Sequence, residues 1–184
     1  MPSIVLIGGD FRGRRLQGSP GSGTRPLISR ARKSLFDILG VEALGGAWLD
    51  LFAGTGSVGL EALSRGAPRC DFVDSDRRAV EVIQRNIETL GIQDRTRVYV
   101  GDALKMGPAL FEKTEYQVIF AGPPFGQALA GQCLARLDEA MGRSLHRLVL
   151  QYPIHESMPQ GLKSFERLDE RKYGDFFLGF WTRR

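Results

Sequence analysis

The sequence predicts an α/β fold: a doubly wound, mostly parallel sheet of seven strands, preceded by a small basic extension. Three observations lead to this prediction. Strand-like apolar runs alternate with helix-like runs between Ala47 and Gln151, a pattern typical of βαβ units. A glycine turn, Gly54 to Gly59, directly follows the first of these strands. After Pro153 two strand-like runs follow each other without a helix, which predicts an antiparallel pair at the end of the sheet.

Residues 1–45 are predicted to form the extension, and residues 46–184 the α/β domain. Residues 4–7 and 11–16 flank a Gly-Gly-Asp turn, as in a small β-hairpin. Residues 17–23 are rich in Gly, Ser and Pro, which is typical of a mobile loop. Residues 29–39 are expected to form a helix with Ser29 as its N-cap. The apolar side of that helix is expected to consist of Ile28, Leu35, Ile38 and Leu39.

The elements of the α/β domain follow from the apolar periodicity. The seven strands are expected at residues 47–52, 69–74, 97–100, 116–120, 145–151, 165–171 and 176–182. Helices are expected between the first five strands, at residues 57–65, 77–90, 103–111 and 127–141. Gly91 is expected to end the second of these helices as its C-cap.

Composition excludes several classes of protein. Of the 184 residues, 42% are hydrophobic and 25% charged, as in ordinary globular chains. No run approaches the roughly 18 apolar residues that span a bilayer, and the first nine residues lack the basic start of a signal peptide. Cys70 and Cys133 stand far apart, which favours buried thiols in a reducing compartment. We therefore expect a cytoplasmic monomer without a membrane or metal partner.

The positive charge is concentrated at one end of the chain. Residues 1–36 contain seven Arg or Lys residues and one acid, so this segment has a net charge of +6. Because the whole chain has a net charge of +4, the remaining residues have a net charge of −2. Such asymmetry indicates a polyanionic partner, most simply a nucleic acid. A solvated basic loop is the alternative.

Acidic residues accompany the glycine turn. The run from Gly54 to Gly59 matches Gly-x-Gly-x-x-Gly, which alone is weak evidence for a nucleotide site. Asp50 lies in the strand before the turn, and Asp74 and Asp102 follow the next two strands. Three acids around one crevice suit a cationic adenosine cofactor, with Asp74 accepting from ribose hydroxyls. Each acid could instead be only a helix N-cap.

A second motif, Gly122-Pro123-Pro124-Phe125, follows the fourth strand. Two consecutive prolines make a stiff loop, whose carbonyl groups can accept from an exocyclic amine. Phe125 offers a face for stacking an unpaired base. The alternative is a rigid turn with a buried phenylalanine.

At this point the sequence resembles the RsmD family of bacterial 16S rRNA guanine-N2 methyltransferases. The resemblance covers nearly the whole chain and depends on several blocks occurring in order. These are Ile7-Gly-Gly-Asp-Phe-Arg-Gly-Arg-Arg-Leu16, Arg25-Pro26, Arg30-Ala-Arg-Lys-Ser-Leu-Phe36, Leu49-Asp-Leu-Phe-Ala-Gly-Thr-Gly56, Gly59-Leu-Glu-Ala-Leu-Ser-Arg-Gly-Ala67 and Asp74-Ser-Asp-Arg77.

The resemblance implies a fold of the S-adenosylmethionine-dependent methyltransferase (Rossmann-like) type, with S-adenosylmethionine as cofactor. It implies small-subunit ribosomal RNA, or the assembling 30S particle, as partner. The implied cofactor-binding residues are Asp50, Phe52, Ala53, Gly54, Thr55, Gly56, Asp74, Asp102 and Ala103, with Asp50, Gly54 and Gly56 near the amino-acid part. The implied RNA-binding residues are Arg12, Arg14, Arg15, Arg25, Arg30, Arg32 and Lys33. The catalytic residues would be Gly122, Pro123, Pro124 and Phe125.

The sequence departs from the family at its catalytic loop. The family motif is Asp/Asn-Pro-Pro-Phe/Tyr, and here Gly122 removes the side-chain acceptor for the amine. Ser29 and Lys33 also stand where the family usually carries acids. Three alternatives stay open. Gly122 allows a catalytically weakened relative that binds cofactor and RNA, the Pro-Pro-Phe loop allows an adenine-N6 methyltransferase, and the glycine turn allows a nicotinamide-dependent dehydrogenase.

Overall fold

The computed structural model describes residues 3–18, 28–140 and 145–184. Its main feature is a seven-stranded sheet in the order β5-β4-β3-β6-β7-β9-β8. The strands are β3 (Trp48–Leu51), β4 (Cys70–Asp74), β5 (Thr96–Val100), β6 (Tyr116–Ala121), β7 (Leu145–Pro153), β8 (Phe165–Tyr173) and β9 (Phe176–Arg183). The strands from β3 to β7 pair in parallel, and β9 lies antiparallel between β7 and β8. The predicted sheet is confirmed.

Among the described residues, five α-helices accompany the strands: α1 (Ser29–Leu39), α2 (Ser57–Ser64), α3 (Arg77–Leu90), α4 (Ala103–Lys113) and α5 (Leu129–Glu139). Two short 3₁₀ helices lie at Val41–Leu44 and Gln93–Arg95. The bounds of α3 agree with the prediction because both of its ends carry strong signals. The Asp76 side chain accepts from the Arg78 N–H at the start, and Gly91 adopts φ +69° at the end.

The predicted N-terminal hairpin forms with shorter strands than expected. β1 (Ser3–Val5) pairs antiparallel with β2 (Arg15–Gln17), with Ile4 opposite Leu16. Residues 6–14 form the connection, which is closed by a hydrogen bond from the Gly13 N–H to the Leu6 carbonyl (2.8 Å). The predicted loop at 17–23 lies mostly outside the described residues. The division of the chain after residue 45 stays a prediction.

Helices cover both faces of the sheet. On one face, side chains of the hairpin and α1 share an apolar core with α2, α3 and the strands, and Leu16, Phe36, Leu63 and Phe180 are among its members. On the other face, α4 and α5 pack on Leu49, Ile119 and Leu150. The carboxyl ends of β3, β4, β5 and β6 therefore lie together at one edge, where ligands bind in open α/β sheets. Within the described ranges, no helix has the length and apolar character to cross a bilayer.

Helix α1 differs from its prediction in two ways. Its N-cap is Ile28, not Ser29, and no side chain bonds to the first turn. Ile28 and Ile38 are exposed, with 53% and 37% of their surface accessible. The buried side consists of Ala31, Arg32, Leu35, Phe36 and Leu39.

Candidate functional site

The glycine turn connects β3 to α2 through a sharply bent backbone. Phe52, Gly54 and Gly56 have φ values of 56°, 57° and 73°, in the left-handed region that favours glycine. The Gly54 N–H donates to Oδ2 of Asp74 (2.7 Å). This bond joins the turn after β3 to the end of β4. Helix α2 then begins at Ser57, so its first N–H groups lie beside the turn.

Packing requires a glycine at position 59 and leaves little room for a side chain at position 56. A Cβ atom at Gly59 would lie 2.4 Å from the Phe72 ring and 2.6 Å from Sγ of Cys70. A Cβ atom at Gly56 would lie 3.2 Å from the Ile83 side chain. Both glycines therefore allow α2 and the turn to approach the sheet closely, as the later glycines of this fingerprint do in nucleotide-binding folds.

Asp50 of β3 forms a hydrogen bond to the last residue of the glycine turn. Its side chain is only 1% exposed, and Oδ2 accepts from the Gly59 N–H (2.9 Å). Burial raises the pKa of Asp50 to about 8, the Gly59 hydrogen bond opposes this, and the charge of Asp74 adds to it. Oδ1 is buried and has no partner in the described part of the chain. The role of Asp50 beside the cofactor's amino-acid part stays a prediction, and its hydrogen bond to Gly59 connects its carboxyl to the start of α2.

Asp74 and Asp102 lie at the rim of the crevice. Asp74 accepts from the Gly54 N–H through Oδ2 and from the Asp76 N–H through Oδ1 (2.9 Å). Asp102 is exposed and is the N-cap of α4, where it accepts from the Leu104 N–H (2.9 Å). Of the other residues predicted to bind the cofactor, Phe52 is half-buried, and Ala53, Thr55 and Ala103 are buried. The left-handed turn and two rim acids suit a cationic adenosine cofactor.

The Gly122 to Phe125 loop lies next to the glycine turn. The Gly122 N–H donates to the Leu51 carbonyl at the end of β3 (3.2 Å). The loop is therefore hydrogen-bonded to the strand that leads into the glycine turn. Pro123 is buried, and Pro124 and Phe125 are half-buried. The Phe125 ring packs against Phe176, with 6.3 Å between the ring centroids.

A cavity of about 330 Å³ opens beside Phe125. Its walls include Arg30 of α1, Gln151 of β7 and the turn from β8 to β9, and its larger side chains are Arg30, Phe125, Gln151, Lys172, Tyr173 and Phe176. The Tyr173 hydroxyl donates to Oγ of Ser34, and its ring stacks on Phe176 at 5.7 Å. The sequence analysis missed these β7, β8 and β9 residues. A glutamine within the apolar run of β7 was the available signal.

The hairpin connection and α1 present exposed cations. Arg12 and Arg14 are exposed on the connection, Arg15 at the start of β2, and Arg30 and Lys33 on α1. Lys33 also forms a surface ion pair with Asp37 (2.6 Å). Arg25 lies outside the described residues.

Arg32 is not part of this surface. Its side chain is 1% exposed, its guanidinium donates to the Val5 carbonyl, and Nε lies 3.6 Å from Oε2 of Glu61. Burial lowers the pKa of Arg32, while the charge of Glu61 raises it. The prediction that Arg32 binds RNA was therefore wrong. A signal was present, because Arg32 occupies the position three residues before Leu35 and four before Phe36 on the buried stripe.

The cysteines are placed as inert thiols. Cys70 and Cys133 are buried and free. Burial raises the pKa of Cys133 to about 12, and it raises the pKa of Cys70 well above its usual value, so neither is a reactive thiolate. In the ranges described, no three His, Cys, Asp or Glu side chains gather as a candidate metal site.

Comparison with known proteins agrees with this geometry. The family model described as "Conserved hypothetical protein 95" matches residues 4–182. The ribosomal RNA small subunit methyltransferase D of Escherichia coli K12 is 34% identical over 137 residues, which cover 74% of this chain and 67% of the relative. The protein of the same name from Haemophilus influenzae is 33% identical over 137 residues, covering 74% and 71%.

Solved structures give the same result for the fold. A candidate methyltransferase from Escherichia coli, yhhF, superposes with a TM-score of 0.85 at 28% identity and covers 100% of this chain and 99% of its own. A Thermus thermophilus protein, TTHA0928, has a TM-score of 0.74 at 30% identity, with coverage of 96% and 98%. An RNA methyltransferase from Salinibacter ruber, solved with S-adenosylhomocysteine, shares the fold at 16% identity, a TM-score of 0.62 and coverage of 86% and 94%.

The sheet order, the glycine turn and the family match over residues 4–182 all indicate the same fold and family. The chain has the fold of the S-adenosylmethionine-dependent methyltransferases, and it belongs to the conserved hypothetical protein 95 family, the RsmD family of ribosomal RNA methyltransferases.

Proposed function

We propose that this protein transfers a methyl group from S-adenosylmethionine to the exocyclic N2 of a guanine in small-subunit ribosomal RNA. The observation that supports this most directly is the hydrogen bond from the Gly122 N–H to the Leu51 carbonyl (3.2 Å). It holds the Pro-Pro-Phe loop beside the acid-rimmed glycine turn, so that an amine at the loop faces a methyl donor in the turn.

The residues around the turn hold the donor. Asp74 and Asp102 form the rim, the first N–H groups of α2 lie beside it, and Asp50 fixes the turn from below. When bound, the cofactor supplies an electrophilic methyl group on a sulfonium. The protein's contribution is then chiefly to bring the two reacting atoms together in line.

The acceptor guanine enters the cavity beside Phe125 and stacks on an aromatic face. Its N2 lone pair forms the new bond to the methyl carbon while the carbon–sulfur bond breaks and leaves its electron pair on sulfur. N2 then releases one proton to water. Exposed cations at Arg12, Arg14, Arg15, Arg30 and Lys33 hold the RNA phosphates, which orients the substrate without reading its bases.

Methyl incorporation tests this proposal. Purified protein and labelled cofactor are incubated with 30S particles, or with free 16S ribosomal RNA, that lack the modification, and the Escherichia coli methyltransferase D serves as positive control. Nucleoside mass spectrometry should detect N2-methylguanosine. N6-methyladenosine would instead support the adenine alternative, and no incorporation where the control enzyme works would overturn the enzymatic proposal.

A further inference from the structure

The glycine at position 122 is not required by the backbone. Gly122 does not belong to the glycines with positive φ, so an ordinary side chain fits its conformation. Space is the stronger constraint. A Cβ atom at this position would lie 3.3 Å from the Phe120 ring and 3.4 Å from Oε1 of Gln151. The carboxamide of Gln151 therefore lies next to the volume that a side chain at position 122 would occupy.

The sheet register places Gln151 there. Ala121 of β6 pairs with Leu150 of β7, so the following residues, 122 and 151, are cross-strand neighbours. Alternation along each strand places Gln151 on the same face as Val149, and position 122 on the same face as Phe120. Val149 and Phe120 belong to one apolar core. Gln151 is the polar residue at the end of that row, at the edge where the ligands bind.

The burial and the location of Gln151 are typical of a side chain that binds a ligand. It is only 6% exposed, and it lines the cavity beside Phe125. Within residues 3–18, 28–140 and 145–184, its carboxamide has no hydrogen-bond partner. Its polar atoms do not belong to the fully buried atoms without a partner, so the carboxamide faces the open cavity. A guanine in the cavity would supply the missing partner.

We infer that Gln151 supplies the side-chain acceptor for the target amine that position 122 lacks. Its Oε1 accepts a hydrogen bond from one N2–H of the guanine and so aims the N2 lone pair at the donor methyl. Gln151 takes no proton, since an amide oxygen is a weak base, and the proton released after transfer goes to water. This inference rests on the proposed function, and it assigns to β7 a role that the loop motif usually fulfils.

The test replaces the carboxamide by a side chain of similar size. Gln151→Met keeps the volume and removes the acceptor. Loss of one well-placed polar group typically lowers kcat by about 100-fold, and we expect a loss of that size in methyl incorporation. Calorimetry should give an unchanged Kd for S-adenosylhomocysteine. The Tm should not fall, because the substitution keeps the side-chain volume and breaks no hydrogen bond within the described residues. Gln132→Met, at an exposed position of α5, should leave incorporation unchanged.

A rescue variant separates an acceptor role from a packing role. In Gln151→Met, adding Gly122→Asn places an amide on the neighbouring strand, and incorporation should recover at least tenfold. In the wild-type background, Gly122→Asn should give no gain, because Gln151 already supplies the acceptor.

The two proposals fail in different ways. Wild-type protein that transfers no methyl group overturns both. Active wild-type protein with an equally active Gln151→Met variant overturns only the role of Gln151. A Gln151→Met variant with a lowered Tm and no rescue by Gly122→Asn would likewise overturn it, since Gln151 would then serve packing.

Discussion

Nε of Arg32 lies 3.6 Å from Oε2 of Glu61, and both side chains are enclosed. Glu61 also accepts from the Ile7 N–H (2.9 Å) and from Nε of Arg65 (2.8 Å). One carboxylate of α2 therefore joins the N-terminal segment, α1 and its own helix. Because the Arg32 charge beside it is also buried, Glu61 stabilises the contact between these segments more than a surface ion pair would.

Removing the charge of Glu61 should destabilise the protein strongly. Breaking a buried ion pair at one partner typically costs about 3–5 kcal/mol, and we expect Glu61→Gln to lower the free energy of unfolding by an amount in that range. Urea denaturation measures it. Asp37→Asn, which breaks the exposed pair with Lys33, is the matched control and should cost less than about 1 kcal/mol. Equal effects of the two substitutions would contradict the role of Glu61.

The Gly-Gly-Asp turn of the N-terminal segment sits directly on the end of α2. The Asp10 N–H donates to the Ser64 carbonyl (2.7 Å), and a Cβ atom at Gly9 would lie 1.7 Å from that oxygen. Gly9→Ala should therefore displace the turn and lower Tm by several degrees. Gly13→Ala is the control, because Gly13 has a similar φ of +83° but no atom within 4 Å of its Cβ position. It should show only the conformational cost, about 1–2 kcal/mol. A Gly13→Ala variant as unstable as Gly9→Ala would exclude the steric explanation.

Asp50 makes the stability of the cofactor-free protein depend on pH. Its usual pKa of 3.8 rises to about 8 in the folded protein. The folded state therefore holds this proton more tightly than the unfolded state. The resulting stabilisation is complete below about pH 4 and is lost as pH rises towards 8, by about 1.4 kcal/mol per pH unit in between.

Asp50→Asn should remove this dependence. Unfolding free energies measured by urea at several values between pH 5 and pH 8 should fall with pH in the wild type and fall less steeply in the variant. Asp76→Asn, at the exposed N-cap of α3, should keep the wild-type slope, because asparagine is an equally good cap. Parallel slopes for the wild type and Asp50→Asn would refute the assignment.

The exposed arginines of the hairpin connection should contribute to RNA affinity. Arg14→Gln is expected to weaken binding of small-subunit ribosomal RNA at low salt. It should also reduce the slope of log affinity against log salt concentration by about 1, as for the loss of one phosphate contact. Filter binding across a salt series measures both. Arg97→Gln, on the edge strand β5, should leave the slope unchanged. An unchanged slope for Arg14→Gln would show that this arginine does not contact phosphate.

The sheet could be predicted because its signals are local. Apolar runs fixed the strands, and Asp76 and Gly91 marked both ends of α3. Arg32 was predicted to bind RNA because its charge outweighed its position on the buried stripe of α1, where the structure places it. The role of Gln151 could not be predicted. It depends on the register between β6 and β7 and on a cavity whose walls come from distant parts of the chain.

Helix α2 has eight residues and is therefore about 12 Å long. Its first residue follows the glycine turn, and its last residue, Ser64, holds the N-terminal segment through bonds to Gly8, Asp10 and Phe11. The glycine turn and the basic hairpin are thus separated by the length of this one helix. Under the proposed function, an RNA bound through its phosphates at that hairpin would present to the glycine turn the nucleotides that lie at one distance from those phosphates. If the proposed function holds, the choice of target nucleotide depends in part on its distance from the phosphates that the hairpin binds.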